Sequence, residues 1–162
     1  MTEVNNTPDA GSVMKWWSRL SPYPGGRLLF SLVLGRIAPY SGTLGARVEE
    51  IRPGYARVTL RDRRGLRNHL RSLHAIALIN LGELVSGLAV LSTLSRDMRG
   101  IVLDIHADYL KKARGQLVAT AQFELPHGIG DDTPCQVEAE LLDQSGDTVT
   151  RVRATWLIGY RT

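Results

Sequence analysis

The chain has 162 residues, of which 43% are hydrophobic and 22% are charged, a composition typical of one folded globular domain. Its formal net charge of +4 favours anionic partners without choosing among nucleic acid, anionic lipid and phosphorylated small molecules. The one cysteine, Cys135, excludes an intrachain disulfide, and without a Cys-x-x-Cys pair or metal-like histidine spacing neither a metal site nor a cofactor is predicted.

The N-terminal part predicts a polar lead-in followed by two short helices. Residues 1–11 lack the basic region and apolar core of a signal peptide, so we predict that they form a disordered lead-in. Two helical stretches lie within residues 12–38, on either side of a breaker rich in proline and glycine at residues 22–26. We expect them to pack on the body of a single domain that spans residues 12–162.

Period-two alternation predicts six strands around one long helix. Apolar and polar residues alternate in two segments before residue 61 and in four segments after residue 100, as in antiparallel strands with one covered face. Between these groups, residues 75–94 are almost entirely apolar, and Glu83 is their only ionisable residue. This order predicts an α+β fold in which a six-stranded antiparallel sheet packs around one long central helix.

The apolar run of residues 75–94 is long enough to span a bilayer, so a membrane helix has to be weighed. A charge such as Glu83 near the centre of a span costs about 2.5–3.5 kcal/mol on insertion scales, and Asn80 and Ser86 are polar as well. We therefore predict a buried central helix and no membrane span. A buried carboxylate must find a partner, shift its pKa or line a cavity.

Two segments resemble motifs of the hot-dog acyl-CoA thioesterases in the hydroxybenzoyl-CoA thioesterase superfamily. The first, Asn68-x5-His74-Ala75-x7-Glu83, is similar to that superfamily's pattern of Asn or Gln, His-Gly, and Asp or Glu. The second, residues 108–117, is similar to the strand-turn-strand segment that follows the helix, where an aromatic-leucine-basic run precedes a turn glycine. Together with the element order, the resemblance implies the hot-dog fold, in which a curved sheet wraps one long helix.

The resemblance also implies a role for each residue of the first motif. Glu83 would be the general base that activates water, or the nucleophile that forms a mixed anhydride. Asn68 would orient the water or the thioester, and the backbone amide of Ala75, which replaces the usual glycine, would bind the oxyanion. His74 would contact the substrate or hold the helix entry. Each has a structural alternative: a Glu83 that pairs with an arginine or lies at a solvated helix edge, a turn-forming or capping Asn68, and a helix start capped by solvent or a side chain.

The remaining predicted site residues flank this motif. Gly87 stands where the family often has a threonine one turn after the acid, and Ser86 is the candidate substitute. Lys111, Lys112 and Arg114 lie in the second motif and are candidates for binding the phosphates of coenzyme A. The five arginines between residues 61 and 71 are interpreted instead as a solvated basic surface or as partners of nearby acids.

The spacing of two of these residues predicts self-association. Ala75 and Glu83 are eight residues apart, which is about 12 Å along a helix and too far for both to contact one thioester carbon. A second chain should therefore supply one of them. We expect a homodimer or a dimer of dimers. The resemblance to hot-dog thioesterases implies the same arrangement, with the active site at a dimer interface.

Four functions remain in order of support. The first is a cytoplasmic acyl-CoA thioesterase, and the second is a non-catalytic hot-dog module that binds acyl-CoA or lipid. The third is a hot-dog dehydratase that uses His74 with Glu83, although a clear dehydratase signature is missing. Only the positive charge supports a nucleic-acid-binding protein, so no nucleic-acid partner is predicted.

Overall fold

One long helix packs across an antiparallel sheet in the computed structural model of the chain, which describes residues 10–130 and 132–161. The sheet has six strands in the order β1-β2-β4-β5-β6-β3, and every neighbouring pair is antiparallel. The α+β architecture predicted from the sequence is confirmed. The helices are α1 (Ala10–Leu20), α2 (Gly26–Ile37), α3 (Pro39–Gly42) and α4 (Ala75–Leu91), and the strands are β1 (Arg47–Arg52), β2 (Tyr55–Leu60), β3 (Met98–Tyr109), β4 (Leu117–Gln122), β5 (Thr133–Leu142) and β6 (Thr148–Tyr160), with a 3-10 turn at Arg64–Leu66.

The sheet approaches α4 closely because both surfaces carry small residues. A Cβ atom added at Gly82 would lie 2.5 Å from the Cβ of Val152 on β6, so only glycine fits between this helix and that strand. The sheet contributes fully buried alanines to the same layer: Ala56, Ala119, Ala139 and Ala154. Close packing on several strands buries α4 on most sides, which explains why its sequence is apolar almost throughout.

The N-terminal helices are tied to this body by aromatic packing and one hydrogen bond. Trp17 of α1 and Phe30 of α2 are buried and meet edge to face, with ring centroids 5.2 Å apart. Ser31 Oγ accepts a hydrogen bond of 2.9 Å from Val48 N and so joins α2 to β1. Helix α1 begins at Ala10, two residues before the predicted start. Residues 1–9 lie outside the described residues, so the predicted lead-in and single-domain division stay predictions.

The edge strand β3 differs from its predicted alternation. The sequence predicts one apolar face that runs through Ile101, Leu103 and Ile105. A bulge between Val102 and Asp104 shifts the register against β6, and a bulge of this kind changes which side chains face the core. Val102 and Ile105 consequently pack against the core, whereas Ile101 and Leu103 are exposed. One long edge of the sheet therefore presents apolar side chains to solvent.

Both ends of α4 are fixed by side chains. The Oγ of Ser92, which follows the helix, donates to Ala89 O at 2.7 Å and accepts from Gly54 N at 2.9 Å in the β1–β2 turn. At the other end, His74 is the N-cap residue. No helix in the described ranges is long and apolar enough to cross a membrane.

Candidate functional site

The N-terminus of α4 opens into a cleft of about 390 Å³ that brings both sequence motifs together. Asn68 and Ala75 from the first motif line it, as do Lys111 and Lys112 from the second. The other lining side chains are mostly apolar and include Leu78 and Leu110. An apolar cleft with a few convergent polar groups is the usual form of a small-molecule site.

Four hydrogen bonds join the loop before α4 to the end of β3 and the segment that follows it, and these two stretches supply the walls of the cleft. Leu73 N donates to Ala113 O at 2.9 Å, and the Tyr109 hydroxyl donates to Ala75 O at 3.1 Å. The third is the bond of 2.9 Å from Gly115 N to Asp62 Oδ2, and the fourth is the bond of 3.4 Å from the Arg114 guanidinium to Leu70 O.

Asp62 connects the two walls, because its carboxylate binds residues of both. From the sequence it is only one of several acids that could pair with the arginines of residues 61–71. Its Oδ1 accepts a hydrogen bond of 2.6 Å from Arg67 Nε. The bond from Arg67, followed by that from Gly115, holds the pKa of Asp62 below its ordinary value, although burial opposes the shift. Arg67 is thereby accounted for as a partner of a nearby acid, as predicted for this arginine cluster.

The start of α4 combines a histidine cap with a free backbone amide. His74 has an extended backbone, and its Nδ1 accepts a hydrogen bond of 3.2 Å from Ile76 N, so the ring caps the helix. The next amide, Ala75 N–H, makes no hydrogen bond to any residue in the described part of the chain. Free amides at a helix start, with the positive end of the helix dipole behind them, favour a negative oxygen.

Asn68 combines a structural oxygen with an uncommitted amide nitrogen. Its Oδ1 accepts hydrogen bonds from Leu70 N at 2.9 Å and from Ser72 N at 3.3 Å and Oγ at 3.2 Å, which closes the turn before the helix. Its Nδ2 has no acceptor among the described residues. The predicted alternatives of turn former and ligand donor are therefore compatible, because each uses a different atom.

Glu83 lies two turns further along α4 and outside this cleft. Its side chain is partly buried, and no cation or hydrogen-bond donor in residues 10–130 and 132–161 contacts its carboxylate. Burial raises the pKa of Glu83 above its ordinary value. Ile76 and Ile79 share the less covered side of α4 with it. A carboxylate in this setting is poised to bind a proton.

Ser86 and Gly87 face the sheet instead of the cleft. Ser86 is fully buried, and its Oγ donates to Glu83 O at 3.0 Å and accepts from Trp156 Nε1 at 3.3 Å. A Cβ atom added at Gly87 would lie 2.9 Å from the Trp156 ring. These contacts indicate that both residues pack against the Trp156 side chain, which lies between α4 and the sheet. Neither residue lines the cleft. Their predicted roles, Ser86 in catalysis and Gly87 in substrate binding, stay predictions.

The three basic residues of the second motif have different surroundings. Lys111 Nζ pairs with Asp143 at 2.6 Å and Asp147 at 2.7 Å, and these two acids, Asp143 foremost, raise its pKa. Arg114 donates a hydrogen bond of 3.4 Å to Leu70 O. Lys112 is exposed in the cleft and forms no ion pair with a described residue. Lys112 is thus the cation best able to meet a ligand phosphate.

A second, smaller cleft of about 200 Å³ lies beside α4 and contains a residue that the sequence did not single out as a site residue. His74 and Asn80 line it. Asn80 is buried, and its side chain makes no hydrogen bond to a described residue. It lies one turn before Glu83 on the helix. The signal that could have found it is the one that identified Glu83, a polar residue in an otherwise apolar run.

Comparisons with known proteins identify a family and a fold. The family model of a domain of unknown function, DUF4442, matches residues 26–158. Curated protein sequences give no match. The crystal structure of a structural-genomics protein called APC5556 is 28% identical with a TM-score of 0.78, over 94% of this chain and 99% of that chain.

Two further solved structures carry functional names. A Pseudomonas aeruginosa protein described as a probable thioesterase is 22% identical with a TM-score of 0.73, over 81% of this chain and 93% of that chain. A hypothetical thioesterase from Streptococcus pneumoniae, solved with coenzyme A, is 24% identical with a TM-score of 0.60, over 72% and 88%. The chain belongs to the DUF4442 family and has the hot-dog fold of these named thioesterases.

Proposed function

We propose that the protein is a thioesterase that hydrolyses acyl-CoA thioesters at a site formed between two copies of the chain. The observation that carries this proposal is the partly buried Glu83 carboxylate, which has neither a cation nor a donor among the described residues of its own chain. On the same helix, the amide of Ala75 opens into a cleft that Asn68 and Lys112 also line.

The proposed reaction uses these groups in two steps. Glu83 takes a proton from water while the water oxygen bonds to the thioester carbon, and Ala75 N–H and Asn68 Nδ2 donate to the oxyanion. Collapse of this intermediate breaks the carbon–sulfur bond, and the proton held by Glu83 passes to the leaving thiolate. If Glu83 attacks directly, a mixed anhydride forms and the thiolate leaves first, and water then hydrolyses the anhydride.

The helix geometry supports a shared site. Both residues lie on α4, so Ala75 and Glu83 are separated by about 12 Å along its axis. The 12-residue edge strand β3 pairs on one side only, with β6, and exposes Ile101 and Leu103. An unprotected edge of this length is a template for strand pairing. Pairing with the same strand of a second copy would bring the partner's helix towards this cleft.

The second candidate function is binding of acyl-CoA without hydrolysis. It is favoured by Ala75 and Gly87, which stand where the thioesterase pattern has a glycine and often a threonine. Both candidates require an acyl-CoA ligand, and they differ only in turnover. Binding and hydrolysis therefore have to be measured on the same preparation.

The test is a steady-state assay with a panel of acyl-CoAs on the wild type, Glu83→Gln and the matched control Glu124→Gln, whose side chain is exposed. We expect Glu83→Gln to lower kcat/KM at least about a hundredfold, the scale of acid–base catalysis, and the control to keep full activity. Calorimetry should show that Glu83→Gln still binds acyl-CoA. Full turnover by a folded Glu83→Gln protein would refute the catalytic role, and wild-type binding without turnover would favour the second candidate.

A further inference from the structure

Helix α2 is apolar on its solvent side as well as on its buried side. Phe30 is buried, whereas the rest of the helix surface presents Leu28, Leu29, Leu32 and Val33, which are 50%, 50%, 57% and 40% exposed. Soluble surfaces normally carry polar residues at such helix positions. A contiguous apolar surface of this kind indicates an interaction site.

The surface continues across the groove between α1 and α2. This groove has a volume of about 150 Å³ and is lined by apolar side chains, which include Val13, Phe30 and Ile37. Trp16 of α1 also lines it and is 53% exposed. We call this surface the helical patch and define it as Trp16, Leu28, Leu29, Leu32, Val33 and Ile37.

The charged residues within the helices that carry the helical patch are all basic. Residues 10–48 contain five basic residues and no Asp or Glu. Arg27 and Arg47 approach Glu49 of β1 at 4.0 Å and 3.4 Å. The other three, Lys15, Arg19 and Arg36, form no ion pair with a residue in the described ranges, and all three are exposed.

We propose that the helical patch binds the surface of an anionic phospholipid bilayer, with α1 and α2 lying in the interface. Leucine side chains would enter the acyl-chain boundary, and Lys15, Arg19 and Arg36 would meet the lipid phosphates. The exposed ring of Trp16 suits the boundary between the two layers, where its apolar body and polar N–H are both satisfied.

The charge pattern favours a bilayer over a second copy of the chain. A two-fold contact uses the same patch on both copies. It would bring two sets of Lys15, Arg19 and Arg36 together. Residues 10–48 contain no acid to pair with them, and the acids that follow, Glu49 and Glu50, already approach other arginines. A phosphate-rich surface supplies the missing negative charge. The proposed binding is independent of the chemistry at Glu83.

The test is sedimentation of the full chain with vesicles of phosphatidylcholine alone and with vesicles containing one third phosphatidylglycerol. Trp17 and Trp156 are only 7% and 6% exposed, so a blue shift of tryptophan emission on binding reports mainly on Trp16. We expect binding and a blue shift with the anionic vesicles only, weakened by salt because the attraction is screened. Absence of binding, or equal binding to both vesicles at all salt concentrations, overturns the proposal.

Two variants locate the bound surface. Leu29→Glu/Leu32→Glu changes the helical patch, and Gln122→Glu/Gln136→Glu makes the same net charge change at exposed positions on β4 and β5. We expect the first variant to lose vesicle binding and the second to keep most of it, with unchanged circular dichroism in both. Equal loss in both variants would mean that net charge alone acts and would overturn the proposal.

A third variant removes charge without touching the apolar side chains. Lys15→Gln/Arg36→Gln should weaken binding to anionic vesicles by about fivefold for each basic residue removed. Light scattering measures the mass of every variant in solution. A mass that halves in Leu29→Glu/Leu32→Glu, with no vesicle binding by the wild type, would assign the helical patch to a second copy and overturn the proposal.

Discussion

At the scale of single residues, Glu83 is distinguished by what its surroundings lack. Most partly buried carboxylates are held by a cation or by amide donors, whereas no described residue supplies either to Glu83. Burial alone therefore sets the direction of its pKa shift. Such a group stays protonated to a higher pH than an exposed glutamate, and it weakens the fold when it ionises.

This cost predicts that Glu83→Gln stabilises the protein while abolishing turnover. The folded chain binds the Glu83 proton more tightly than the unfolded chain, because folding raises the pKa. The free energy of unfolding therefore falls as the pH rises from the ordinary glutamate pKa through the raised one. Glutamine does not titrate, so thermal unfolding should show the variant to be more stable than the wild type above this window.

Below the ordinary glutamate pKa the two proteins should have the same stability, since Glu83 is then protonated in both the folded and unfolded states. Glu124→Gln, at an exposed position, is the matched control for loss of a carboxylate, and it should leave the free energy of unfolding nearly unchanged. A Glu83→Gln protein that is less stable than the wild type at neutral pH would mean that Glu83 has a stabilising partner in the assembled protein.

We predict that Lys112 contributes to acyl-CoA binding and that its neighbour Lys111 does not. Lys112→Gln should raise the KM for acyl-CoA several-fold, because Lys112 is exposed in the cleft with no ion pair among the described residues. A truncated thioester without phosphates should be unaffected, and the difference should shrink at high salt.

Lys111→Gln is the matched comparison for this measurement. Its Nζ already pairs with Asp143 and Asp147, so the variant should leave KM almost unchanged and lower the free energy of unfolding only slightly, because solvent screens an exposed ion pair. Equal KM changes in both variants would contradict this division, and no change in either would leave both lysines without a role in binding.

At the scale of elements, period and spacing were sufficient for the main fold. The six strands and the long helix follow from alternation and from an uninterrupted apolar run. The bulge in β3 does not, because it depends on register against β6, about fifty residues later in the chain. The short helix α3 and the 3-10 turn at Arg64–Leu66 were missed as well, since segments of three or four residues are too short to show a period.

The site could be predicted only in part for the same reason. Asn68 and Ala75 meet Lys111 and Lys112 in one cleft because the two motifs flank the start of α4. The partners of Lys111 come from the β5–β6 turn more than thirty residues away, and no local pattern indicates them. The contact of Ser86 with Trp156 could not be predicted either, because it depends on how β6 packs against α4.

Asp62 is the residue through which two loops act as one element, so its removal should loosen the cleft. Asp62→Asn loses the charge that pairs with Arg67 and should lower the free energy of unfolding by about 1 kcal/mol, because solvent screens the exposed arginine of this pair. KM for acyl-CoA should rise with it, because the hydrogen bond from Gly115 to Asp62 fixes the segment that ends at Ala113 and forms one wall of the cleft. Chemical denaturation and the steady-state assay check the two effects.

The pH dependence of this stabilisation has a defined sign. The pKa of Asp62 is lowered by folding, so its contribution is present above the ordinary aspartate pKa and is lost as the pH falls through the lowered one. The wild type and Asp62→Asn should therefore converge in stability in acid. Arg67→Gln should have a similar effect, and the double variant should cost less than the sum of the two single changes. Additive costs would place the two side chains in separate interactions.

At the scale of the whole molecule, one chain holds the parts of the site but separates them. The amide of Ala75 and the Nδ2 of Asn68 belong to the cleft, while Glu83 lies about 12 Å further along the same helix. No described residue covers the outer edge of strand β3, and the side of α4 that carries Glu83 is only partly covered within residues 10–130 and 132–161. A dimer that covers both would bring the Glu83 of one copy towards the cleft of the other.

This arrangement predicts that two inactive variants restore activity when they are mixed. Asn68→Asp keeps the Oδ1 that closes the turn and removes the Nδ2 donor, whereas Glu83→Gln removes the base, so each variant alone should lose most of its kcat. Refolding equal amounts together makes half of the dimers mixed. Each mixed dimer has one site with both wild-type residues and one with neither, so activity should return to about a quarter of the wild-type value.

Mixing the two folded variants without subunit exchange is the control, and it should show only the small sum of their separate activities. The concentration dependence of the restored activity should follow the dimer mass measured by light scattering, since a shared site exists only in the dimer. If the refolded mixture is no more active than its components, Asn68 and Glu83 act within one chain. The separation along α4 would then require two reaction centres or a catalytic role for only one of these residues.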